Sequence, residues 1–350
     1  MKKIAVLTSG GDAPGMNAAV RAVVRTALSN DMGIIGFKRG FNGMLMHSLT
    51  STDDFIEMNS RSVSGIIHKG GTDLMTARCM EFLKEEVQIQ AVRNAKALGV
   101  EGIVCIGGNG TFKGAEALNQ HGLPAIGLPA TIDNDLAYSE YTIGFDTALN
   151  TAVECVNRIR DTGDAHERVS IVTVMGRDCG DLAVHTALAC GAEAAVIPEI
   201  EWDIDALGEM VHRGVIRGKR SMILIFAEGA QHSLINSVAS LKEKYPNLHI
   251  NEDKLSSSQF AEIIEAISGH ETRATVLGYT QRGGSPTAND RILATRTGSY
   301  AVELLKNGVG GRAVGIYGNK IMDVALEDAT KGSTFDEEFY RLVGVTGYIR

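Results

Sequence analysis

The chain has 350 residues, 44% of them hydrophobic, with 40 glycines and a formal net charge of −8. That length allows two domains with a full core each, and the negative balance, without a run of five like charges, argues against a nucleic-acid binder, which gains affinity by neutralising phosphates. Five scattered cysteines in no ligand spacing argue against a disulfide framework or structural zinc, no stretch of about 18 apolar residues could span a membrane, and the amino terminus is too short in apolar residues for a secretion signal, so the cytoplasm is the expected compartment.

Short apolar runs at residues 4–7, 33–37, 102–106, 124–128, 169–174, 194–197 and 221–226 read as strands buried on both faces. Between them, residues 16–27, 85–98 and 147–160 read as helices. The alternation predicts an α/β fold with mostly parallel sheets covered by helices. On the first helix Arg21 and Arg25 stand four residues apart and so share a face. Residues 230–268 turn polar and read as a surface excursion with helical turns at its ends.

Ligands of such sheets bind where a strand turns into a helix. Three predicted turns have unusual composition. The first, residues 9–17, carries Gly10 and Gly11 before the helix of Arg21; paired glycines let the backbone approach an anion, although a tight turn alone would also use them. The second reads Gly107-Gly108-Asn109-Gly110-Thr111 and suits a polyphosphate with magnesium, to which Asn109 offers a carbonyl oxygen without charge. The third, residues 129–135, holds Thr131, Asp133 and Asp135. Two carboxylates there can divide proton abstraction and metal holding, and an Asx-rich turn with solvated carboxylates is the plainer alternative.

Arginine forks can grip phosphate in two places. Arg177 follows a predicted strand directly and Arg282 precedes a Gly-Gly-Ser-Pro run, which makes these two the best ligand candidates among Arg78, Arg168, Arg177, Arg273 and Arg282. Arg217, Lys219 and Arg220 form a second basic cluster that could join Arg21, Arg25 and Arg160. Trp202 and the nine histidines show no metal-ligand spacing and read as structural.

Taken together and in order, GGDAPGMN, GGNGT, PATIDND, MGR and ETRATVLGYTQRGGSP resemble the bacterial 6-phosphofructokinase family over nearly the whole chain. The resemblance implies two Rossmann-like three-layer domains with the active site in the cleft between them: 1–144 plus 281–331 for the nucleotide, and 145–280 plus 332–350 for the sugar phosphate, with a polar insertion near 230–268. It implies ATP-dependent phosphorylation of fructose 6-phosphate at the C1 hydroxyl, a committed step of glycolysis. Asp133 matches the general base, with Thr131, Arg177 and Gly11 beside it in the catalytic set. Gly11, Arg78, Cys79, Gly108, Asn109, Gly110 and Thr111 match the ATP site. Asn109 and Asp135 match the magnesium site.

Thr131, Asp133, Met175, Gly176, Arg177, Glu228, Tyr279 and Arg282 match sugar-phosphate contacts, and Arg168 and Arg273 match contacts from a neighbouring subunit, implying a homo-oligomer, usually a tetramer. Arg21, Arg25, Arg160, Glu193, Arg217, Lys219 and Arg220 match an effector site for ADP or phosphoenolpyruvate. Neither nucleic acid nor membrane is an expected partner. The chain departs from the family pattern at several of these positions. Asn109 stands where an aspartate is usual, Tyr279 where a histidine is usual, Ala130 where ATP-using members have glycine, and Ser60 and Ser221 where basic residues or histidine are common. Gly110 and Ala130 favour ATP, because pyrophosphate-using relatives place aspartate and lysine there. Alternatives are a pyrophosphate or other sugar-phosphate kinase, or a weakly catalytic sugar-phosphate sensor.

Overall fold

The structure is a computed structural model describing all residues except 47, 51, 251–254, 333–334 and 348–350. Part of the expected polar excursion and of the expected 332–350 segment therefore lies outside the described residues. Two compact units emerge: Met1–Ala148 with Arg282–Ser333, and Leu149–Gln281 with Thr334–Arg350.

The first unit opens with β1 (Lys3–Thr8), α1 (Met16–Ser29), β2 (Gly33–Phe37), β3 (Phe55–Glu57), α2 (Glu85–Ala97), β4 (Ile103–Gly107), α3 (Asn109–Gln120), β5 (Ala125–Thr131), β6 (Ile143–Gly144) and the start of α4 (Phe145–His166). The second holds β7 (Val169–Val174), α5 (Asp181–Cys190), β8 (Ala194–Val196), α6 (Ile204–Ile216), β9 (Met222–Ala227), α7 (Val238–Lys244), α8 (Ser257–Ser268) and β10 (Thr272–Val276). The chain returns to the first unit for α9 (Ala288–Lys306), β11 (Arg312–Tyr317), β12 (Lys320–Ala325) and α10 (Leu326–Ala329), then to the second for α11 (Glu337–Thr346).

All seven apolar runs read as strands are strands. β4, β5, β7 and β9 are buried along their full length, as strands covered on both faces must be. The first sheet runs β12-β11-β5-β4-β1-β2-β3, with β6 paired to β5; its body is parallel, while β12 and β3 add antiparallel edges. Strand order reverses beside β1, which has β2 on one side and β4 on the other, so the β1 and β4 carboxyl ends form a topological switch point. The second sheet is parallel throughout, in the order β10-β7-β9-β8.

The excursion is more helical than its polarity suggests. Ser256 and Gln259 close a capping box at α8, whose Phe260, Ile263 and Ile264 are buried. Phe260 packs against Phe226 and Trp202 at centroid distances of 5.0 and 5.3 Å, and the indole N–H of Trp202 donates to the Ala230 carbonyl. Trp202 is thus a satisfied core residue. Among the described residues no helix is long and apolar enough to cross a membrane.

Candidate active site

In the first unit, the two glycine loops meet at the switch point. The Ser9 amide donates to the Ile106 carbonyl, and the buried Thr111 hydroxyl donates back to the Ser9 carbonyl at 3.1 Å. Gly107 makes this closeness possible: a Cβ there would lie 2.4 Å from the Ser9 oxygen and 2.3 Å from the Thr111 hydroxyl. Gly108 precedes α3 and its carbonyl accepts from the Thr111 and Phe112 amides, which leaves the Asn109 and Gly110 amides at the helix start as the donors that suit a phosphate. Beside Gly110 nothing would come within 4 Å of an added Cβ.

Gly11 lies under the guanidinium of Arg282, so a Cβ would sit 2.9 Å from Nη1. That nitrogen donates to the Asp12 carbonyl at 3.1 Å. The fully buried Asn17 ties down a further loop, donating to the Gly70 carbonyl and accepting from the Asp73 amide at 2.7 Å. Thr76 on that loop donates to the Gly10 carbonyl, so the segment leading to Arg78 and Cys79 is fastened to the first glycine loop. Arg78 is exposed, and burial pushes the Cys79 thiol up.

The third loop leaves β5. Thr131 accepts from the Asp133 amide, and Asn134, at φ 52°, accepts from the Thr142 amide and donates to the Glu140 carbonyl. Asn109 Nδ2 donates to Asp135 Oδ2 at 2.6 Å, joining the second and third loops. Asn109 Oδ1 is buried and has no hydrogen-bond partner among the described residues. Among the described residues no three His, Cys, Asp or Glu side chains gather to cage a metal. Magnesium does not require such a cage, because it keeps several waters and takes one or two protein oxygens with substrate phosphates. The orphaned amide oxygen and the Asp135 carboxylate fit that pattern.

Substituting Asn109 by Asp replaces an amide donor with a second carboxylate against Asp135. The expected result is a fall in thermal stability without metal and a gain in divalent-cation affinity on the order of tenfold. Manganese titration followed by electron paramagnetic resonance checks it; an unchanged Kd would place Asn109 away from the metal.

Behind the third loop stands Asp290, 1% exposed, near the start of α9. It accepts from the amides of Gly144 (2.7 Å) and Thr147 (2.8 Å) and from the Thr147 hydroxyl. Burial pushes its carboxyl up from 3.8 to about 6, with the nearby Asp146 adding to the rise and its three donors opposing it. Between those values the folded chain keeps a proton that the unfolded chain releases. Stability from this group is therefore full below 3.8 and lost as pH rises through about 6, by ~3 kcal/mol. Urea unfolding from pH 4 to 7 should show that the stability of the native chain relative to Asp290→Asn falls across this window. A cavity of about 290 Å³ borders Asp290, Asp146, Tyr141 and Arg296 rather than the glycine loops.

In the second unit, Gly176 (φ 133°) and Arg177 (φ 55°) follow β7 in left-handed conformations. The Arg177 amide donates to Glu228 Oε1 at 3.0 Å, and the Met175 amide donates to Gln281 Oε1. Met175, Gly176, Arg177 and Glu228 are thus brought together at the carboxyl ends of β7 and β9. Tyr279, 82% exposed, follows β10 on that same side.

Arg168 and Arg273 do not join them. They lie at the amino ends of β7 and β10, paired with Glu271 at 3.0 and 2.6 Å. The amino-end side also holds Glu193, bonded to Lys219 at 2.9 Å and accepting from the Ile223 amide. Arg160 donates to the Cys190 carbonyl, and Arg220 faces Glu167 at 3.6 Å. Arg217 caps α6. Arg21 and Arg25 belong to α1 of the first unit, where Arg25 donates to the Ser60 carbonyl at 3.4 Å.

A phosphofructokinase family model matches residues 3–305. The chain belongs to the phosphofructokinase family. Among curated relatives, the ATP-dependent 6-phosphofructokinase of Clostridium acetobutylicum is 47% identical over 346 residues, covering 99% of both chains. That of Clostridium tetani is 48% identical over 349 residues, covering 99% of this chain and 100% of its own. Among solved structures, phosphofructokinase from Saccharomyces cerevisiae superposes with a TM-score of 0.79 at 34% identity over 94% of this chain and 45% of the yeast chain. A pyrophosphate-dependent phosphofructokinase from Marinobacter aquaeolei, 20% identical with a TM-score of 0.76 over 98% of this chain and 91% of its own, shares the fold.

Asn17, Thr142 and Asp290 were not singled out by sequence reasoning. Each is a fully buried polar residue that fastens a phosphofructokinase loop. Asn17 closes the GGDAPGMN motif, and its position there was the available signal.

Proposed function

We propose that the chain transfers the γ-phosphoryl group of ATP to the C1 hydroxyl of fructose 6-phosphate, giving fructose 1,6-bisphosphate and ADP. The observation that carries this reading is the 47–48% identity, end to end, with ATP-dependent 6-phosphofructokinases. The meeting of two glycine loops and a carboxylate loop at the switch point of the first sheet supports it.

In this reading Asp133 takes the proton of the C1 hydroxyl as that oxygen bonds to the γ-phosphorus and the bond to the β–γ bridging oxygen breaks. Phosphoryl transfer asks the protein for positioning and charge neutralisation more than for covalent chemistry. The α3 amides and the 107–111 loop hold the nucleotide phosphates, with Arg78 and Cys79 beside the nucleotide and Gly11 keeping Arg282 in place. Arg177, with Met175, Gly176 and Glu228, holds the sugar phosphate, joined by Tyr279 and Arg282. Asn109 and Asp135 would hold magnesium, which would supply positive charge beside the transferring phosphates. Gly110, with open space beside it, favours a nucleotide over pyrophosphate.

Arg168 and Arg273 serve a neighbouring copy in a homo-oligomer, and the basic residues around Glu193 with Arg21 and Arg25 take an ADP or phosphoenolpyruvate effector. The first unit is the nucleotide domain and the second the sugar-phosphate domain, working in the cytoplasm. The test is product formation from fructose 6-phosphate and magnesium with ATP or pyrophosphate at equal concentration. Activity with ATP alone is expected; use of pyrophosphate overturns the donor, and activity with neither favours a sensor.

A further inference from the structure

Asp290 lies outside the three loops, yet its side chain accepts from the short strand behind them, at Gly144, and from the first turn of α4, at Thr147. Its acceptance from the Gly144 amide holds β6, which pairs with the last two residues of β5: Ala130 with Ile143, and Thr131 with Gly144. From β6 the neighbouring Thr142 donates through its hydroxyl to the Thr131 carbonyl at 2.6 Å and through its amide to Asn134 Oδ1 at 2.9 Å. Those two contacts flank Asp133. A two-residue strand has too few ladder bonds to hold itself, so its position depends on such outside anchors.

The same residue also adjoins the other loops, through its amide, its Cβ and its partner Thr147. Thr287, at the end of the loop that begins with Arg282, donates its amide to Thr147 Oγ1 at 3.0 Å and accepts from the Asp290 amide at 3.2 Å. Gly15, closing the first glycine loop, leaves no room for a Cβ because Ile143 would be 2.7 Å away and the Asp290 Cβ 3.5 Å away. A Cβ on Gly144 would meet Ala13 at 2.7 Å. The β6 segment and Asp290 are therefore wedged among the loops carrying Gly11, Asp133 and Arg282, all within the first unit.

We propose that Asp290 is a positioning residue for phosphoryl transfer, fixing β6 so that Thr142 holds the Thr131–Asn134 loop with Asp133 in its reactive placement. This rests on the reaction assigned above. A charged group kept in a buried site at a cost in stability is a pattern found where function requires it. An ionised carboxylate can accept from Gly144, Thr147 and the hydroxyl together, whereas an asparagine amide brings a donor that faces donors.

Asp290→Asn is the direct test, with Thr147→Val as a milder variant that keeps both backbone bonds to Asp290 and removes the hydroxyl between Asp290 and the Thr287 amide. Expected for Asp290→Asn is a fall in kcat of about 10–100-fold with KM for both substrates within about threefold, and a smaller fall in kcat for Thr147→Val. Amide hydrogen exchange should quicken at Gly144 and Thr147 and across residues 131–135. In an Asp133→Ala background the Asp290→Asn effect on kcat should vanish, since nothing remains to be positioned. A full additional loss in that background, or an unchanged kcat with faster exchange at Gly144, overturns the proposal. If Asp290→Asn does not fold, Thr147→Val decides: an unchanged kcat overturns it. Native chain that is inactive on fructose 6-phosphate with ATP faults the assigned reaction instead, and the exchange pattern still reports whether Asp290 holds the loop.

Discussion

Replacing Asp133 with alanine is expected to lower turnover about 10²–10⁴-fold, while the KM for fructose 6-phosphate moves by less than about threefold. The asymmetry follows from the role: a general base acts as the hydroxyl loses its proton, whereas the arginines hold the phosphate in ground and transition states alike. Asp133 is well placed for such a split, because its amide is tied to Thr131 and its neighbour Asn134 to Thr142, so truncating the carboxyl leaves the loop's backbone bonds in place. Initial rates over a range of both substrates measure it. Unchanged turnover would remove Asp133 from the chemistry.

Gly229→Ala is expected to raise the KM for fructose 6-phosphate by at least about tenfold and to cost ~1–3 kcal/mol of stability. Gly229 has φ −82° and ψ −12°, which any residue can adopt, so backbone freedom is not why glycine is there. The reason is space: an added Cβ would lie 1.9 Å from the Arg177 carbonyl oxygen. That oxygen belongs to a residue already in a left-handed conformation and held through its amide by Glu228. Relief of the clash must move the Arg177 backbone or the turn after β9, and either movement changes the fork expected to grip the sugar phosphate. Gly344→Ala is the control, with nothing within 4 Å of the new Cβ. A KM equal to that of the control would separate Arg177 from the sugar site.

The parts of the fold legible in the sequence are those whose burial is two-sided. β1, β4, β5, β7 and β9 are short, mostly apolar runs whose residues are almost all buried. β6 and β3, at two and three residues, are too short to show a period. β10 is an edge strand whose residues are mostly exposed or half-buried, without alternation. The β11–β12 hairpin turns on Gly318 and Asn319, both left-handed, a two-residue signal weaker when read forwards than the usual Asn-Gly.

The site divides in the same way. Glycine pairs stand out because composition alone marks them, and Asp133 stands out beside them. Asp290 is hidden because Thr287 and Asp290 are spaced like an ordinary helix-start pair, and the Thr287 hydroxyl does accept from the Asp290 amide. The second task of the Asp290 side chain depends on β6 arriving from more than a hundred residues earlier, a proximity no local pattern carries. Arg168 and Arg273, by contrast, were grouped with Arg177 as candidate phosphate-gripping arginines, while the resemblance assigned them to a neighbouring subunit. Within one chain their strand-end positions keep them apart from it.

The first unit is made of two stretches separated by the Leu149–Gln281 part of the second, and this sets a timetable for synthesis. β5 pairs with β4 as soon as both leave the ribosome, and β6 soon covers its last two residues, but β11, its neighbour at Ile126 and Gly127, is encoded about 180 residues later. At typical elongation rates the outer edge of β5 stays open for ~10–40 s. An open edge on an apolar strand is a template for pairing with another chain. The α9 segment with Asp290 emerges during the same interval, so the nascent chain passes through a stage in which the Asp133 loop exists without its anchor, its sheet is unfinished, and chaperone shielding matters most.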